Sequence, residues 1–130
     1  MAALAGLTFV VLLIIPYRRF SAGFKGLVRT HDFKYGESAN VPPDVSIPNR
    51  NFMNLLELPV LFYVACLTLY VTKHVDGALV GLAWTYVALR AAHSAVHLSY
   101  NRVRHRLALY AASTVVLIVI WIRLFRAITS

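Results

Sequence analysis

Acidic residues are scarce in this chain: five Asp and Glu stand among 130 positions against thirteen Lys and Arg, giving a formal net charge of +8. Charged residues of either sign make up 14% of the sequence, where a soluble domain averages about 25%. That scarcity excludes a disordered chain and an ordinary soluble enzyme, because too few polar side chains remain to cover a globule in water. Cysteine is scarcer still. Cys66 stands alone, which excludes an intrachain disulfide, a CxxC redox pair and a thiolate zinc cluster. The apolar N-terminus lacks a basic leader and an A-x-A site, so it reads as a retained helix stopped by Pro16-Tyr17-Arg18-Arg19 rather than as a signal peptide.

What is abundant is apolar: AVILMFWYC residues make up 59% of the chain and the mean hydropathy is +0.66. A pI near 10.2 suits nucleic acid in principle. The basic residues, however, punctuate long apolar runs instead of gathering on a soluble face, so no nucleic-acid partner is expected and membrane lipids are. Four stretches, Met1 to Tyr17, Leu55 to Thr72, Ala78 to Tyr100 and Leu107 to Ile122, approach the roughly 17 to 25 helical residues that cross a hydrocarbon core. The composition therefore predicts an all-α integral membrane four-helix bundle, a single domain over 1–130. Its helices are expected over about 1–17, 51–73, 77–100 and 105–126, with a polar loop over 18–50. Asp76-Gly77 supplies a tight turn between the second and third helices. Six Lys and Arg lie in the loop (Arg18, Arg19, Lys25, Arg29, Lys34, Arg50), three in the link before the fourth helix (Arg102, Arg104, Arg106) and three on the other side (Lys73, Arg123, Arg126). This asymmetry predicts both basic links in the cytoplasm and both termini outside it.

A charge near the bilayer centre costs at least about 2.5–3.5 kcal/mol, so polar residues within these helices need partners or a task. Tyr86, Arg90, His93, His97 and Asn101 are spaced 4, 3, 4 and 4 and fall within an arc of about 80° on a helix. Arg50, Asn54 and Glu57 form a second stripe, in which Glu57 is the one acid inside an apolar segment; Arg106, Tyr110 and Ser113 form a third. Pro59 removes the hydrogen bond to the Leu55 carbonyl and is expected to bend the second helix beside Glu57. Such a recess, with arginines from two or three helices, one carboxylate and neutral donors, suits a small zwitterionic or anionic ligand. An arginine at the membrane boundary also suits stabilisation of a thiolate or an oxyanion.

The stretches NRNFMNLLELPVLFY and RAAHSAVHLSYNRVRHRLALYAAS, spanning Asn51 to about Arg123, resemble the MAPEG family, membrane-associated proteins in eicosanoid and glutathione metabolism, particularly its small bacterial branch. Asn54-x-x-Glu57 with Pro59 is similar to the motif of the family's second helix. Arg90, His93 and His97 are similar to the Arg and aromatic positions of its third, although eukaryotic members usually carry Tyr where His97 stands. Arg106 followed by Tyr110 is similar to its thiol-activating arginine and the tyrosine beyond. The resemblance implies a homotrimer in the membrane, taken to be the bacterial inner membrane, with glutathione as co-substrate. It implies that Arg106 acts on the glutathione thiol as the catalytic residue. Arg50, Asn54, Glu57, Arg90, His93, His97 and Tyr110 are the implied ligand-binding set. The expected activity is glutathione transfer to, or glutathione-dependent reduction of, a hydrophobic small molecule drawn from the bilayer.

Each residue also has a plainer reading. Glu57 and Arg90 suit a structural ion pair. His93 and His97 have the i,i+4 spacing of a metal chelate, but no Asp, Glu or Cys accompanies them on their helix, so no metal is expected. Arg106 suits a topology charge, Tyr110 and Ser113 suit interfacial packing, and Cys66 suits a small packing residue. Arg18 and Arg19 suit headgroup anchors. The alternative function is a non-enzymatic membrane scaffold or lipid-binding protein of the same fold. A small transporter subunit is a third class, in which the polar stripes form a path.

Overall fold

A computed structural model describes residues 1–129, so the last position of the expected 1–130 domain lies outside the described residues. The chain forms α1 (Ala2–Phe24), a 3-10 turn (Thr30–Phe33), α2 (Pro43–Leu56), α3 (Leu58–Val71), α4 (Gly77–Leu98) and α5 (Val103–Thr129). Strands are absent among the described residues. Helices α2 and α3 are two halves of one rod, so the expected four-rod, all-helical architecture is present. The rod breaks at Glu57, whose ψ of −103° is not helical. Pro59, at the second position of α3, has no N–H for the Leu55 carbonyl, and the bend expected beside the carboxylate is a full interruption.

Three of the boundaries that differ from expectation bear on the site. The first helix does not stop at residue 17: α1 carries Pro16, Arg18 and Arg19 inside it and ends at Phe24, where Gly26 at φ +70° lets the Leu27 N–H reach the Ala22 carbonyl and close the helix end. The second rod begins at Pro43, not 51, so the polar loop shrinks from 18–50 to 25–42. Pro48 lies within α2 and cannot donate to the Asp44 carbonyl four residues back; Arg18 Nη1 donates to that same carbonyl at 3.3 Å. This long-range donor takes the carbonyl that the proline leaves free, and it gives Arg18 a task beyond headgroup anchoring. Finally, α4 ends at Leu98, which leaves Asn101 in the link rather than on the helical stripe.

Three of the rods, Ala2–Phe24, Pro43–Val71 and Val103–Thr129, are long and apolar enough to cross a membrane. Helix α4 has 22 residues, about 33 Å of helix, and is long enough to cross as well. Its polar residues face inward: Tyr86, Arg90, His93, Ser94 and His97 are buried, while Val80 and Trp84 are exposed. The main core joins Leu4, Val11, Phe62, Ala65, Leu69, Leu79, Tyr86, Leu117 and Leu124 across all four rods. A second small core, Ala22, Val28, Val41 and Val45 with Phe33 against them, ties the 25–42 segment to α1 and α2 as a cap. The rods run alternately up and down. The cap and the 99–102 link therefore share one end, here the basic end, and Met1, the 72–76 turn and the C-terminal turns of α5 share the other.

Candidate functional site

The site is built along α4 from its middle to the basic end. Arg90 is 0% exposed. Its Nε donates to the Tyr86 hydroxyl at 3.2 Å, and its guanidinium lies 4.9 Å from the Tyr110 ring centroid of α5 and 5.5 Å from that of Tyr86. Both of its terminal nitrogens, Nη1 and Nη2, are buried without a hydrogen-bond partner among the described residues. Aromatic faces offset part of the desolvation of a guanidinium, by about 2 kcal/mol or more for a desolvated contact. They do not replace an acceptor, and an uncompensated buried charge is the costly case. One turn on, the His93 ring centroid lies 6.1 Å from that of Tyr110 and 5.8 Å from that of His97. His97 is also buried, and its Nδ1 has no partner among the described residues.

Beyond α4 the chain reverses tightly. Asn101 adopts φ +49°, a left-handed conformation that asparagine tolerates, and its Oδ1 accepts from Arg106 Nη1 at 2.8 Å. Asn101 thus fixes both the link and the first turn of α5, leaving Arg106 Nε buried and unpartnered among the described residues. Beside Asn101 opens a polar cavity of about 330 Å³, walled by Arg50, Glu37, Ser38 and Ser46 from the cap and the first turns of α2. Arg19 donates to Glu37 at 3.0 Å, fixing that carboxylate over the cavity. The cavity offers a guanidinium, a carboxylate and two hydroxyls, the complement of a small zwitterion.

The structure gathers Arg90, His93, His97 and Tyr110 into one seam, and Arg50 and Arg106 at its end. Asn54 and Glu57 do not join them. The stripe Arg50, Asn54 and Glu57 follows the outer face of α2, with Glu57 exposed and Asn54 half-buried; among the described residues Glu57 makes no ion pair, so the Glu57–Arg90 pair of the plainer reading is not formed within the chain. The polar residue that α2 turns inward is Asn51, fully buried, whose Oδ1 accepts from the Ser94 hydroxyl at 3.2 Å while its Nδ2 stays unpartnered among the described residues. Asn51 escaped the sequence reading because α2 carries two polar rows, and a row cannot say which side α4 will cover. Ser113, the last of the fifth-helix stripe, is buried and donates to the Tyr110 carbonyl at 2.8 Å, a local role.

A single polar seam therefore descends from a buried, unsatisfied guanidinium to an open pocket flanked by further arginines. A model of the MAPEG family matches residues 1–126, nearly the whole chain. No curated protein and no solved structure matches it significantly.

Proposed function

Because the chain belongs to the MAPEG family, we propose that it binds glutathione as a co-substrate at its basic end and joins it to a lipophilic electrophile, or uses it to reduce a lipophilic peroxide. The observation that carries this reading is Arg90: a fully buried cation with two unpartnered nitrogens, in a seam that leads to a pocket shaped for a zwitterion. A tripeptide thiol brings two carboxylates and an ammonium. One carboxylate reaching Arg90 must part the Tyr110 ring from the guanidinium; Glu37 and Arg50 suit the remaining charges. Glu57, exposed on an apolar rod, and Asn54 beside it suit contact with a second copy of the chain, in keeping with a homotrimer that completes the site across a protomer boundary. The grouping of both arginine-rich links at one end favours that end in the cytoplasm, with both termini outside, in a bacterial inner membrane.

Arg106 carries the chemistry in this reading. A free cysteine thiol titrates near 8.5, and the glutathione thiol is expected in that range. A guanidinium within about 4–6 Å lowers such a value by one to three units, because it favours the ionised form. Arginine keeps its own proton throughout. The thiolate sulfur then attacks the electrophilic carbon, and the leaving group departs with the displaced electron pair. Calorimetry of the detergent-solubilised protein with glutathione tests binding, and an ultraviolet thiolate band at neutral pH tests activation. Arg106→Ala is expected to abolish the band while Arg102→Ala and Arg104→Ala leave it intact; identical behaviour of all three variants would reject the assignment.

One observation favours the second reading, a non-enzymatic scaffold or lipid-binding protein. The Arg106–Asn101 bond is a local contact that holds the link whether or not a thiol is present. Glutathione binding without any thiolate band would select that reading.

A further inference from the structure

Outside this seam, the feature that the site leaves unused is a cleft of about 800 Å³ between the last turns of α1 and the 3-10 turn of the cap. Its floor and outer wall differ in chemistry. Arg19 forms part of the floor: its guanidinium lies 4.6 Å over the Phe33 ring, Nη2 is taken by Glu37, and Nε is buried without a partner among the described residues. Arg29 and Thr30 stand at the rim, both exposed, and the Arg29 guanidinium makes no hydrogen bond among the described residues. The outer wall is phenyl, Phe20 at 68% and Phe24 at 92% exposure. Nearby acids leave this edge net positive: Arg18, Lys25, Arg29 and Lys34 outnumber the one acid there without an ion pair, Asp32. Asp32 is engaged by the Arg29 backbone N–H and the Ser38 hydroxyl, and Glu37 by Arg19.

We propose that this cleft seats the headgroup of an anionic phospholipid, with its phosphodiester at Arg29 and Thr30 and its acyl chains along Phe20 and Phe24. The cleft lies at the last turns of α1, a helix long and apolar enough to cross a membrane, so it stands at the depth where phosphate and acyl chain would meet. Basic pockets at that depth take anionic headgroups, and clustered Lys and Arg add to the attraction; Arg18, Lys25 and Lys34 flank the cleft in sequence. A free phosphate would gain nothing from the two exposed phenyl rings. A second copy of the chain is a poor match for the charge, because Asp32, Glu37 and Asp76 of its five acids are already engaged and the same chain brings thirteen Lys and Arg of its own. The inference does not rest on glutathione: the two sites meet at the Arg19–Glu37 pair, but Arg29, Thr30, Phe20 and Phe24 take no part in the proposed thiol site.

Native mass spectrometry of the full chain in detergent, incubated with equal phosphatidylglycerol and phosphatidylcholine of matched chains, tests it. The parent protein is expected to retain phosphatidylglycerol at least about fivefold over phosphatidylcholine, and Arg29→Gln to lose about fivefold of that retention, as one cation near a headgroup implies. Arg126→Gln, at the opposite end, is expected to retain the lipid as the parent does, and glutathione titrations of Arg29→Gln to match the parent's. Arg29 is exposed and its backbone holds Asp32, so the substitution preserves the cap. Equal retention of the two lipids, or parent-like retention by Arg29→Gln, overturns the proposal. So does displacement of the lipid by inorganic phosphate, which would mark a bare anion site. A change in copy number with Arg29→Gln, without lipid selectivity in the parent, would assign the cleft to a second protomer instead.

Discussion

At one end of the bundle Met1, Phe62, Cys66, Leu79 and Trp84 wall an apolar cavity of about 360 Å³, and the Arg123–Asp76 pair at 2.7 Å ties the exposed helix ends together. At the other end Arg50, Glu37 and Asn101 wall a polar cavity of about 330 Å³ beneath a folded cap. The two cavities are similar in size and opposite in chemistry; α4 lines the first, and the link that follows it reaches the second at Asn101. A column of side chains runs from the first towards the second: the Phe62 ring stacks on Tyr86 at 4.6 Å, the Tyr86 hydroxyl accepts from Arg90, and Arg90 lies over Tyr110. The apolar end needs little from outside, since dispersion and burial require no partner, and the neutral indole N–H of Trp121 is the buried nitrogen there without an acceptor among the described residues. The polar end is not complete, because buried nitrogens there have no acceptor. Stability is therefore expected to reside in the first end and binding in the second.

The largest effect that would break this division is on stability. Phe62→Ala removes a fully buried ring from the core shared by α3 and α4, and large-to-small changes of this kind cost about 3–5 kcal/mol. Unfolding of the detergent-solubilised protein by denaturant measures it. Glutathione affinity of the folded fraction is expected to stay at the parent value; a parallel loss of affinity would show that the stacked column couples the two ends.

Arg90 provides the converse. Arg90→Ala is expected to weaken glutathione binding by something like the 2–5 kcal/mol seen when one member of a buried charge pair is removed. Arg90→Met keeps the volume and removes the unpaired charge, so its melting temperature is expected to equal or exceed the parent's while binding is lost just as fully. A strongly destabilised Arg90→Met would make Arg90 a structural residue and erase the contrast between the ends.

The apolar half was the more legible in the sequence. Runs of Leu, Val and Ile reach membrane length without any knowledge of neighbours, and the 4, 3 and 4 spacing of Tyr86, Arg90, His93 and His97 places them on one face whatever packs against it. The beginning of α2 was not legible. Pro42, Pro43, Pro48, Asp44 and Arg50 read locally as loop, but distant parts of the chain meet the helix there: Val45 packs in one core with Ala22, and Arg18, twenty-six positions away, donates to the Asp44 carbonyl that Pro48 cannot reach. The inward face of α2 was hidden for a related reason. Arg50, Asn54 and Glu57 make the more conspicuous polar row, but the packing of α4 selects Asn51, and nothing in the spacing of α2 records where α4 lies.

Asn51 offers a smaller test of that selection. It joins α2 to α4 through Ser94 between the two ends, and Asn51→Ala leaves the Ser94 hydroxyl buried without an acceptor, at a cost of about 1–3 kcal/mol. Adding Ser94→Ala is expected to recover part of the loss, because both polar groups then leave together. Additive losses in the double variant would show that the two side chains act separately and that α2 is positioned by its apolar residues alone.

The smallest expected effect lies in the cap, and it asks whether the basic end is held together by charge or by its own small core. The Arg29 backbone N–H, and after it the Ser38 hydroxyl, hold the Asp32 carboxyl below its ordinary value of 3.8, against an opposing push from partial burial. A carboxyl depressed in the folded state contributes stability that is complete above its unfolded value and fades as the pH falls through the folded one. The cap is therefore expected to keep its hydrogen-exchange protection, corrected for intrinsic rates, from neutral pH down to about 3.8, and to lose it in residues 29–41 at lower pH. Asp32→Ala is expected to show the unprotected pattern already at neutral pH, with the rods unaffected, because Asp32 bonds only within the cap. If instead the variant keeps its protection, the packing of Ala22, Val28, Val41 and Val45 suffices to hold the cap. The basic end would then resemble the apolar end in what stabilises it, and differ from it only in the guanidinium groups it leaves unpaired.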